Sequence, residues 1–306
     1  MNDNDSRFLS SDESQWAQII MSEVVHAIHK FFDEYEFVYV MPPVIHEAIS
    51  NKKREIYFDM KEKRYSLNSS NALYLSAYAS VFERVYSISS CFRDEQFSYN
   101  HLNEFHMLEA EIIGMSFDEL PDFVEKLISH ILKELSESII IKRNDGAYKR
   151  ILLIKESFHP QKMAYDDFLN MIVGKGGSLK YGDDISDNDF VISNMLDKPI
   201  MIIDYPTFLA TWTAVKKDKT HSRALNLMLP NSFGELCEGC ERTNDIELLR
   251  HKFMCAGIEN LEWYIDAVGS IKKERCGFGI GIERLVRWIV GRDNIQDVVF
   301  FPRINF

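Results

Sequence analysis

A polar stretch between residues 91 and 105 carries side chains that together suit a nucleotide. The planar guanidinium of Arg93 can grip phosphate or carboxylate oxygens. Glu95 can accept a hydrogen bond from an exocyclic amine, and His101 can reach a polyphosphate tail. Phe105 offers a ring face to a base. A long surface hairpin whose charges are simply solvated is an equally good interpretation of this stretch taken alone.

Two kinds of strand are predicted around this chemistry. Segments 84–89 and 106–114 mix apolar and polar residues in roughly the period of half-buried strands, so we expect antiparallel neighbours joined by the polar stretch. Residues Gly277-Phe-Gly-Ile-Gly-Ile-Glu-Arg284 predict a glycine-rich strand that runs into an amphipathic helix. The glycine spacing does not fit the dinucleotide fingerprint. It does leave a sheet surface without side chains, where a flat ligand can lie against backbone.

In chain order, Arg-x-Glu at 93–95, His-Leu-x-Glu-Phe at 101–105 and Gly-x-Gly-x-Gly-x-Glu-Arg at 277–284 resemble motifs 2 and 3 of the class II aminoacyl-tRNA synthetases, in particular the aspartyl/asparaginyl branch. Shorter pieces follow the family's order at 204–206, 229–230, 234–235, 241–242, 263–266 and 301–303. The resemblance covers residues 12–306. It implies an α/β (α+β) protein with the class II synthetase fold, whose central, mostly antiparallel β-sheet is flanked by helices.

The resemblance also implies ATP and Mg²⁺ as cofactors. Arg93 and Arg284 would be catalytic, with Arg93 bridging the substrate carboxylate and the α-phosphate, while Arg284 and Phe105 sandwich adenine. Glu235 would hold magnesium together with Asn226, which stands where relatives carry an acidic ligand, so that one metal site would be weaker. The implied ATP-binding residues are Arg93, Glu95, His101, Phe105, Glu235, Gly281 and Arg284.

For the amino acid, the resemblance implies a site formed by Ser70, Asn71, Arg242 and Gly279. Arg242 matches the family arginine that recognises the substrate's side-chain carboxylate or amide, and a surface salt bridge is the alternative interpretation of this residue. Ala72 replaces a usual glutamine beside Asn71, and Arg275 replaces a usual histidine. The ATP half of the site therefore looks intact, whereas the amino-acid half looks remodelled.

The composition is that of a globular protein, with 306 residues, 46% hydrophobic and 27% charged. No run is apolar enough to span a membrane and the polar start is no signal peptide, so we expect a cytoplasmic location. The net charge of −12 makes tRNA a possible but not a favoured partner. Cys237 and Cys240 form a lone Cys-x-x-Cys, which we interpret as reduced thiols, with a metal site as the alternative.

The remaining pattern predicts the elements that position this site. A capping box at Ser10–Glu13 opens a long amphipathic helix to about Asp33, and a strand follows at 37–40. This pair resembles motif 1, which implies a homodimer interface; a helix packed only on its own domain is the alternative. Further predictions are helices at 73–82, 121–135 and 244–255, a strand over 190–205, a hairpin with strands at 211–215 and 224–228, and a mobile loop at 174–177.

We expect residues 1–11 to be a polar tail and 12–306 to be a catalytic domain without the N-terminal anticodon-binding barrel of the branch. The favoured function is that of an ATP-dependent ligase, which adenylates aspartate, asparagine or a close analogue and transfers the acyl group to ammonia or a small amine. This arrangement resembles stand-alone asparagine synthetase relatives. Two alternatives stay open: a truncated asparaginyl-tRNA synthetase-like enzyme that charges tRNA or another carrier, and a non-catalytic regulatory paralogue.

Overall fold

The computed structural model describes residues 12–47, 54–96, 98–185, 188–257 and 261–301. The polar tail and the start of the predicted capping box lie outside these residues. Among the described residues the helices are α1 Asp12–Glu34, α2 Ala72–Phe82, α3 Leu120–Glu137, α4 Asp145–Ser157, α5 Tyr165–Gly174, α6 Asp189–Ser193, α7 Ile246–Ala256, α8 Glu262–Gly269 and α9 Ile282–Val290, with 3₁₀ turns at Ile141–Arg143 and Ile295–Val298. No described helix has the length and apolarity needed to cross a membrane.

The strands are β1 Val38–Tyr39, β2 Ile45–Glu47, β3 Tyr57–Met60, β4 Lys63–Leu67, β5 Arg84–Phe92, β6 Glu104–Ile113, β7 Gln161–Ala164, β8 Ile200–Pro206, β9 His221–Leu229, β10 Gly234–Glu241 and β11 Arg275–Gly281. Eight of them form one sheet in the order β1-β5-β6-β11-β10-β9-β8-β7. Only the pairs β1–β5 and β7–β8 at its two ends are parallel. The predicted mixed fold with a mostly antiparallel central sheet is confirmed.

Side-chain alternation divides this sheet into an apolar face and a polar face. On the apolar face, Leu108, Phe278 and Leu227 point into the main core, which α1, α3, α4 and α9 cover. The helix α1 places Ile20, Val24 and Phe31 at helical spacing in that core. On the polar face, α2, α7 and α8 close one end and α5 and α6 pack near the other. A cavity of about 900 Å³ remains open between these ends.

The predicted strand pair around the polar stretch is confirmed. Strands β5 and β6 pair antiparallel from Arg84 opposite Ile112 to Phe92 opposite Glu104. The glycine-rich strand is also confirmed, since β11 lies between β6 and β10 and runs directly into α9. These elements bring motif 2 and motif 3 side by side in the centre of the sheet.

Two sequence predictions were wrong in detail. Residues 189–193 form the helix α6, and only 200–206 of the predicted strand is extended, because the turn at 194–198 separates them. Residues 211–215 form a turn rather than a strand, although Ala214 still bridges to Arg242. The predicted loop at 174–177 begins at the last residue of α5 and continues as a turn, in which the amides of Lys175, Gly176 and Gly177 donate to carbonyls of the last turn of the helix; its mobility stays a prediction.

Candidate active site

The floor of the cavity is the polar face of β11 and its two neighbours. Gly277, Gly279 and Gly281 alternate along β11 and all face this side, so β11 itself contributes no side chain to the floor. On β6, Glu111 lies opposite Gly277 and Glu109 lies opposite Gly279. On β10, Glu238 lies opposite Gly279 from the other side. The expected side-chain-free surface is wrong as a bare surface, because neighbouring side chains cover it: Glu111 and Arg242 lie over Gly277, Met107 lies over Gly279 and Arg284 lies beside Gly281.

A β-bulge determines which acidic residues of β10 reach this floor. Glu235 pairs with Met228 and Cys237 pairs with Leu227, so Leu236 is an extra residue in β10. The extra residue reverses the alternation. Glu235 and Glu238 therefore both line the cavity although they are three positions apart.

Arg93 lies at the end of β5 and is held from two sides. Its Nε and Nη2 donate to the carbonyl of Ser69 at 3.3 and 3.2 Å. Its guanidinium carbon lies 5.2 Å from the centre of the Phe105 ring. Both residues line the cavity. The structure thus places Arg93 and Phe105 together. These contacts fix the orientation of the arginine, and part of its guanidinium group faces the cavity.

Arg284, from the first turn of α9, joins motif 3 to the motif 2 loop. Its Nη1 donates to the Glu235 carbonyl at 2.8 Å, and its Nη2 lies 3.1 Å from His101 Nε2. His101 Nδ1 is 2.6 Å from Ser98 Oγ. Because Arg284 can only donate, Nε2 accepts and the proton lies on Nδ1. Burial, followed by the Arg284 charge, lowers the pKa of His101, which agrees with a neutral ring.

Glu95 lies on the motif 2 loop and faces Arg284 and His101. It is one of the residues predicted to bind ATP. Its carboxylate lies 3.7 Å from His101 Nε2 and 3.6 Å from Arg54 Nη1. The cavity wall also includes Gly281, at the junction of β11 and α9. All seven residues expected at the nucleotide therefore line one cavity. Because Phe105 contacts Arg93 here, the adenine sandwich between Phe105 and Arg284 stays a prediction.

The residues predicted to bind the amino acid lie farther along β11, with Ser70 near Gly279 and Arg242 beside Gly277. Arg242 is buried, with Nε and Nη2 each 2.8 Å from Glu111 Oε1. Its Nη1 donates to Thr213 Oγ1 at 2.9 Å. The alternative of a surface salt bridge is wrong, because the Arg242 and Glu111 side chains are only 10% and 2% exposed.

Ser70 and Asn71 bind the neighbouring carboxylate at the start of α2. Ser70 Oγ donates to Glu109 Oε1 at 2.5 Å, and the Asn71 amide donates to Glu109 Oε2 at 2.7 Å. Burial raises the pKa of Glu109, and the two hydrogen bonds oppose this rise. Ser70 and Gly279 line the cavity, whereas the Asn71 side chain turns to Ser89. Ser70 and Asn71 thus orient a carboxylate that the sequence analysis had not singled out.

The proposed magnesium residues Glu235 and Asn226 contact each other across β9 and β10. Asn226 Nδ2 donates to Glu235 Oε2 at 2.5 Å. Burial and then the Glu238 charge raise the pKa of Glu235 to about 8, which a nearby cation would oppose. No group of three or more His, Cys, Asp or Glu among the described residues could hold a metal ion. The pair fits a magnesium ion that is held mainly by phosphate and water oxygens.

Cys237 and Cys240 lie on opposite faces of β10, as their different neighbours show. Cys237 belongs to the main core, while Cys240 belongs to the cluster beside α5 and lines the cavity. All five cysteines are free thiols. Two side chains on opposite faces of a strand cannot bind one ion, so the reduced-thiol interpretation is the one that fits.

Sequence reasoning missed Glu109, Glu111 and Glu238. The available signal for the first two was their alternation in an otherwise apolar strand, at the same two-residue spacing as the glycines. Glu238 gave no such signal, because the bulge at Leu236 cannot be located without knowing how β9 and β10 pair.

The pKa values of two histidines close to the site should be shifted in opposite directions from the ordinary value. The hydrogen bond to Glu283, 2.7 Å from Nδ1, raises the pKa of His106, whereas burial lowers that of His101. His106 therefore adds stability below about pH 6.5, and this contribution is lost as the pH rises through its folded-state pKa. NMR titration should place His106 above and His101 below the ordinary value. In Glu283→Gln only the His106 value should fall; shifts of both histidines in one direction would contradict the assignment.

The family described as class II tRNA synthetases (D, K and N) matches residues 3–305. The structure is similar to asparaginyl-tRNA synthetase from Pyrococcus horikoshii in complex with asparaginyl-adenylate, with a TM-score of 0.86 and 24% identity over 96% of this chain and 69% of that chain. It is similar to asparaginyl-tRNA synthetase from Entamoeba histolytica, with a TM-score of 0.85 and 23% identity over 96% and 68%. A putative aspartyl-tRNA synthetase from Leishmania major gives a TM-score of 0.78 and 19% identity over 95% and 65%. The chain therefore belongs to the class II tRNA synthetases (D, K and N).

Proposed function

We propose that this protein uses ATP to adenylate asparagine, aspartate or a close analogue, and then transfers the acyl group to ammonia or another small amine. The observation that carries the adenylation is a cavity with arginines at both ends of the glycine-rich strand β11. Arg93 and Arg284 lie at one end, and Arg242 lies at the other. The adenylate named in the Pyrococcus horikoshii complex is consistent with this proposal.

Adenylation requires the protein mainly to position the reacting groups and to neutralise the developing negative charge. An oxygen of the amino-acid carboxylate forms a bond to the α-phosphorus, and the bond from that phosphorus to pyrophosphate breaks. Arg93 would neutralise the charge that develops there, with its orientation already fixed by Ser69 and Phe105. Among the described residues nothing accepts from its Nη1, which leaves donors for the incoming oxygens. Magnesium, held beside Glu235 and Asn226, would supply further positive charge at the phosphates.

The Glu111–Arg242 pair favours an amide over a carboxylate on the substrate side chain. Glu111 Oε2 is buried and has no hydrogen-bond partner among the described residues. A carboxamide could donate to this oxygen and accept from Arg242. A carboxylate would instead place a second negative charge against Glu111. Asparagine or an amide analogue is therefore the preferred substrate of this arrangement.

The net negative charge of the chain supports a small amine, rather than tRNA, as the acceptor. The chain has a net charge of −12, and tight binding of tRNA usually requires a basic surface. Transfer to tRNA is the second candidate, and the family to which the chain belongs favours it. Both acceptors follow the same adenylation step, so that step can be tested before the acceptor is known.

Exchange of pyrophosphate into ATP should depend on asparagine or aspartate and should need no tRNA. Arg93→Ala should slow this exchange by at least about a hundredfold, because one preorganised donor to the developing charge is lost. Arg64→Ala, outside the cavity, is the control. If the wild-type protein exchanges with no amino acid, with or without tRNA, the adenylation proposal fails and the regulatory paralogue becomes the better interpretation.

Glu111→Gln should weaken the preference for the amide substrate. With the negative charge removed, Arg242 becomes available to a substrate carboxylate. We expect the ratio of kcat/KM for asparagine to that for aspartate, measured by pyrophosphate exchange, to fall at least about tenfold. Glu104→Gln, on the same strand but outside the cavity, should leave the ratio unchanged. An unchanged ratio in Glu111→Gln would show that the side chain is recognised elsewhere.

An exposed apolar patch at the β1 edge of the sheet supports the homodimer that motif 1 implies. The patch consists of Val38, Tyr39, Met41, Val81 and Phe82, which are 39%, 42%, 81%, 72% and 48% exposed. Strand β1 pairs with the start of β5, directly after α2. Contiguous patches of this kind usually mark an interface.

Sedimentation equilibrium should give the mass of two chains for the wild type and of one chain for Val81→Glu, because a buried unpaired charge would oppose association. Val173→Glu introduces the same charge on α5, where the residue is 49% exposed, and should remain dimeric. A monomeric wild type, or a Val81→Glu variant that dimerises as well as the control, would exclude this patch as the interface.

A further inference from the structure

We propose that Asn100 and Asp189 are positioning residues, which hold Arg284 and Glu235 in place for the phosphates of ATP. This inference rests on the proposed function, because it concerns the same cavity. It goes beyond that function in giving a role to two buried polar residues outside the predicted ATP-binding and amino-acid-binding residues. Asn100 and Asp189 are 5% and 7% exposed, and both belong to the cavity wall.

Four hydrogen bonds join these four residues in a closed ring. Arg284 Nε donates to the Asn100 carbonyl at 3.4 Å, and Asn100 Nδ2 donates to Asp189 Oδ1 at 3.2 Å. The Glu235 amide donates to Asp189 Oδ2 at 3.3 Å, and the Glu235 carbonyl accepts from Arg284 Nη1 at 2.8 Å. The two backbone carbonyls that orient Arg284 thus belong to residues that Asp189 holds together.

A buried arginine determines the orientation of the Asn100 side chain. Arg287 Nη1 donates to Asn100 Oδ1, so the amide nitrogen of this side chain must face Asp189. Arg287 is 1% exposed and also donates to the carbonyls of Ser232 and Phe233. The Asn100 amide therefore lies between a buried cation and a buried carboxylate. Both of its hydrogen bonds involve a charged group, which makes them stronger than neutral ones.

The approach of Asp189 to β10 requires a glycine before Glu235. Gly234 has a φ of +73°, and a Cβ on this residue would collide with Asp189 Oδ2. Among the residues that the structure describes, no lysine, arginine or histidine forms an ion pair with Asp189, so hydrogen bonds alone satisfy its carboxylate. Burying a carboxylate without an ion pair costs stability, and local costs of this kind are expected at functional sites.

Asn100 and Asp189 act on ATP through their neighbours. The Asn100 amide nitrogen lies 3.2 and 3.4 Å from the two Asp189 oxygens, and its oxygen accepts from Arg287. Arg284 uses three of its five donors within the protein, which leaves two for phosphate oxygens. If the ring opens, Arg284 and Glu235 lose their fixed separation. The affinity for ATP should then fall, while the affinity for the amino acid stays unchanged.

The test exchanges the two side chains. Asn100→Asp alone brings two carboxylates into contact, and Asp189→Asn alone leaves the Asn100 and Glu235 amides competing for one oxygen. The double variant Asn100→Asp/Asp189→Asn restores every hydrogen bond of the ring. Its carboxylate at position 100 accepts from Arg287 and from the amide at position 189, whose oxygen accepts from the Glu235 amide. The net charge of the double variant equals that of the wild type.

Calorimetry with ATP and magnesium chloride measures nucleotide binding to the full-length protein, and pyrophosphate exchange gives the KM values for ATP and for asparagine. Each single variant should weaken ATP at least about tenfold, because a hydrogen bond to a charged group is lost, and should change the KM for asparagine less than about twofold. In the double variant the affinity for ATP should return to within about threefold of the wild type, since the two effects are coupled.

Asn144→Ala is the control for a loss of stability alone. Asn144 caps α4 outside the cavity, where its side chain accepts from the Ala147 amide at 3.0 Å. This variant should melt at a lower temperature and bind ATP as the wild type does. Thermal melting checks that each variant is folded. If Asn100→Asp does not fold, the comparison of Asp189→Asn with the double variant carries the same test.

The inference is overturned if the folded single variants bind ATP like the wild type, if they raise the KM for asparagine as much as that for ATP, or if the double variant is as defective as either single one. The proposed function can fail separately. A wild-type protein that binds ATP but exchanges no pyrophosphate contradicts adenylation, while calorimetry still decides the role of the ring. A wild-type protein that binds no ATP overturns both.

Discussion

The buried ion pair between Glu111 and Arg242 can form only because residue 277 has no side chain. A Cβ at Gly277 would collide with the Glu111 carboxylate and would lie 2.7 Å from Arg242 Nη2. Charges taken out of water are tolerated only when they are paired and hydrogen-bonded. The Glu111 carboxylate and the Arg242 guanidinium must therefore lie in contact. Strand β11 thus supplies bare backbone at the point where opposite charges from β6 and β10 must meet. The end of the cavity that Glu111 and Arg242 line depends on this contact.

Two further buried arginines hold the elements around that floor. Arg275 is 1% exposed and donates to Ser76 on α2, to the Thr243 carbonyl and to the Tyr264 hydroxyl on α8. Arg287 lies on α9 and is also 1% exposed. It donates to the carbonyls of Tyr99 and Phe233. Arg275 therefore joins α2 to α8, and Arg287 joins the motif 2 loop to the turn before β10. Charged hydrogen bonds to several acceptors give these loops a defined geometry that apolar packing alone would not supply.

Periodicity and glycine spacing predicted the central strands, α1, α2, α3 and α9, because these elements have one buried face and a regular pattern. The resemblance to motifs 2 and 3 implied the ATP-binding residues, and the structure brings these residues together in one cavity. The strand over 190–205 was wrong because α6 and a turn interrupt an apolar segment too short for periodicity to distinguish helix from strand. Glu238 could not be found because its face depends on a one-residue bulge. The pairing of strands that are distant in sequence determines which face of the sheet such a residue occupies. This pairing cannot be inferred from a single sequence.

The most direct test of the account is a crystal structure with a non-hydrolysable sulfamoyl analogue of asparaginyl-adenylate. We expect adenosine between Phe105 and Arg284, the sulfamoyl group at Arg93, and the side-chain amide at Glu111 and Arg242. An analogue bound outside the cavity, or bound with its side chain away from Arg242, would contradict the central claim that the glycine-floored cavity is the site of amino-acid activation.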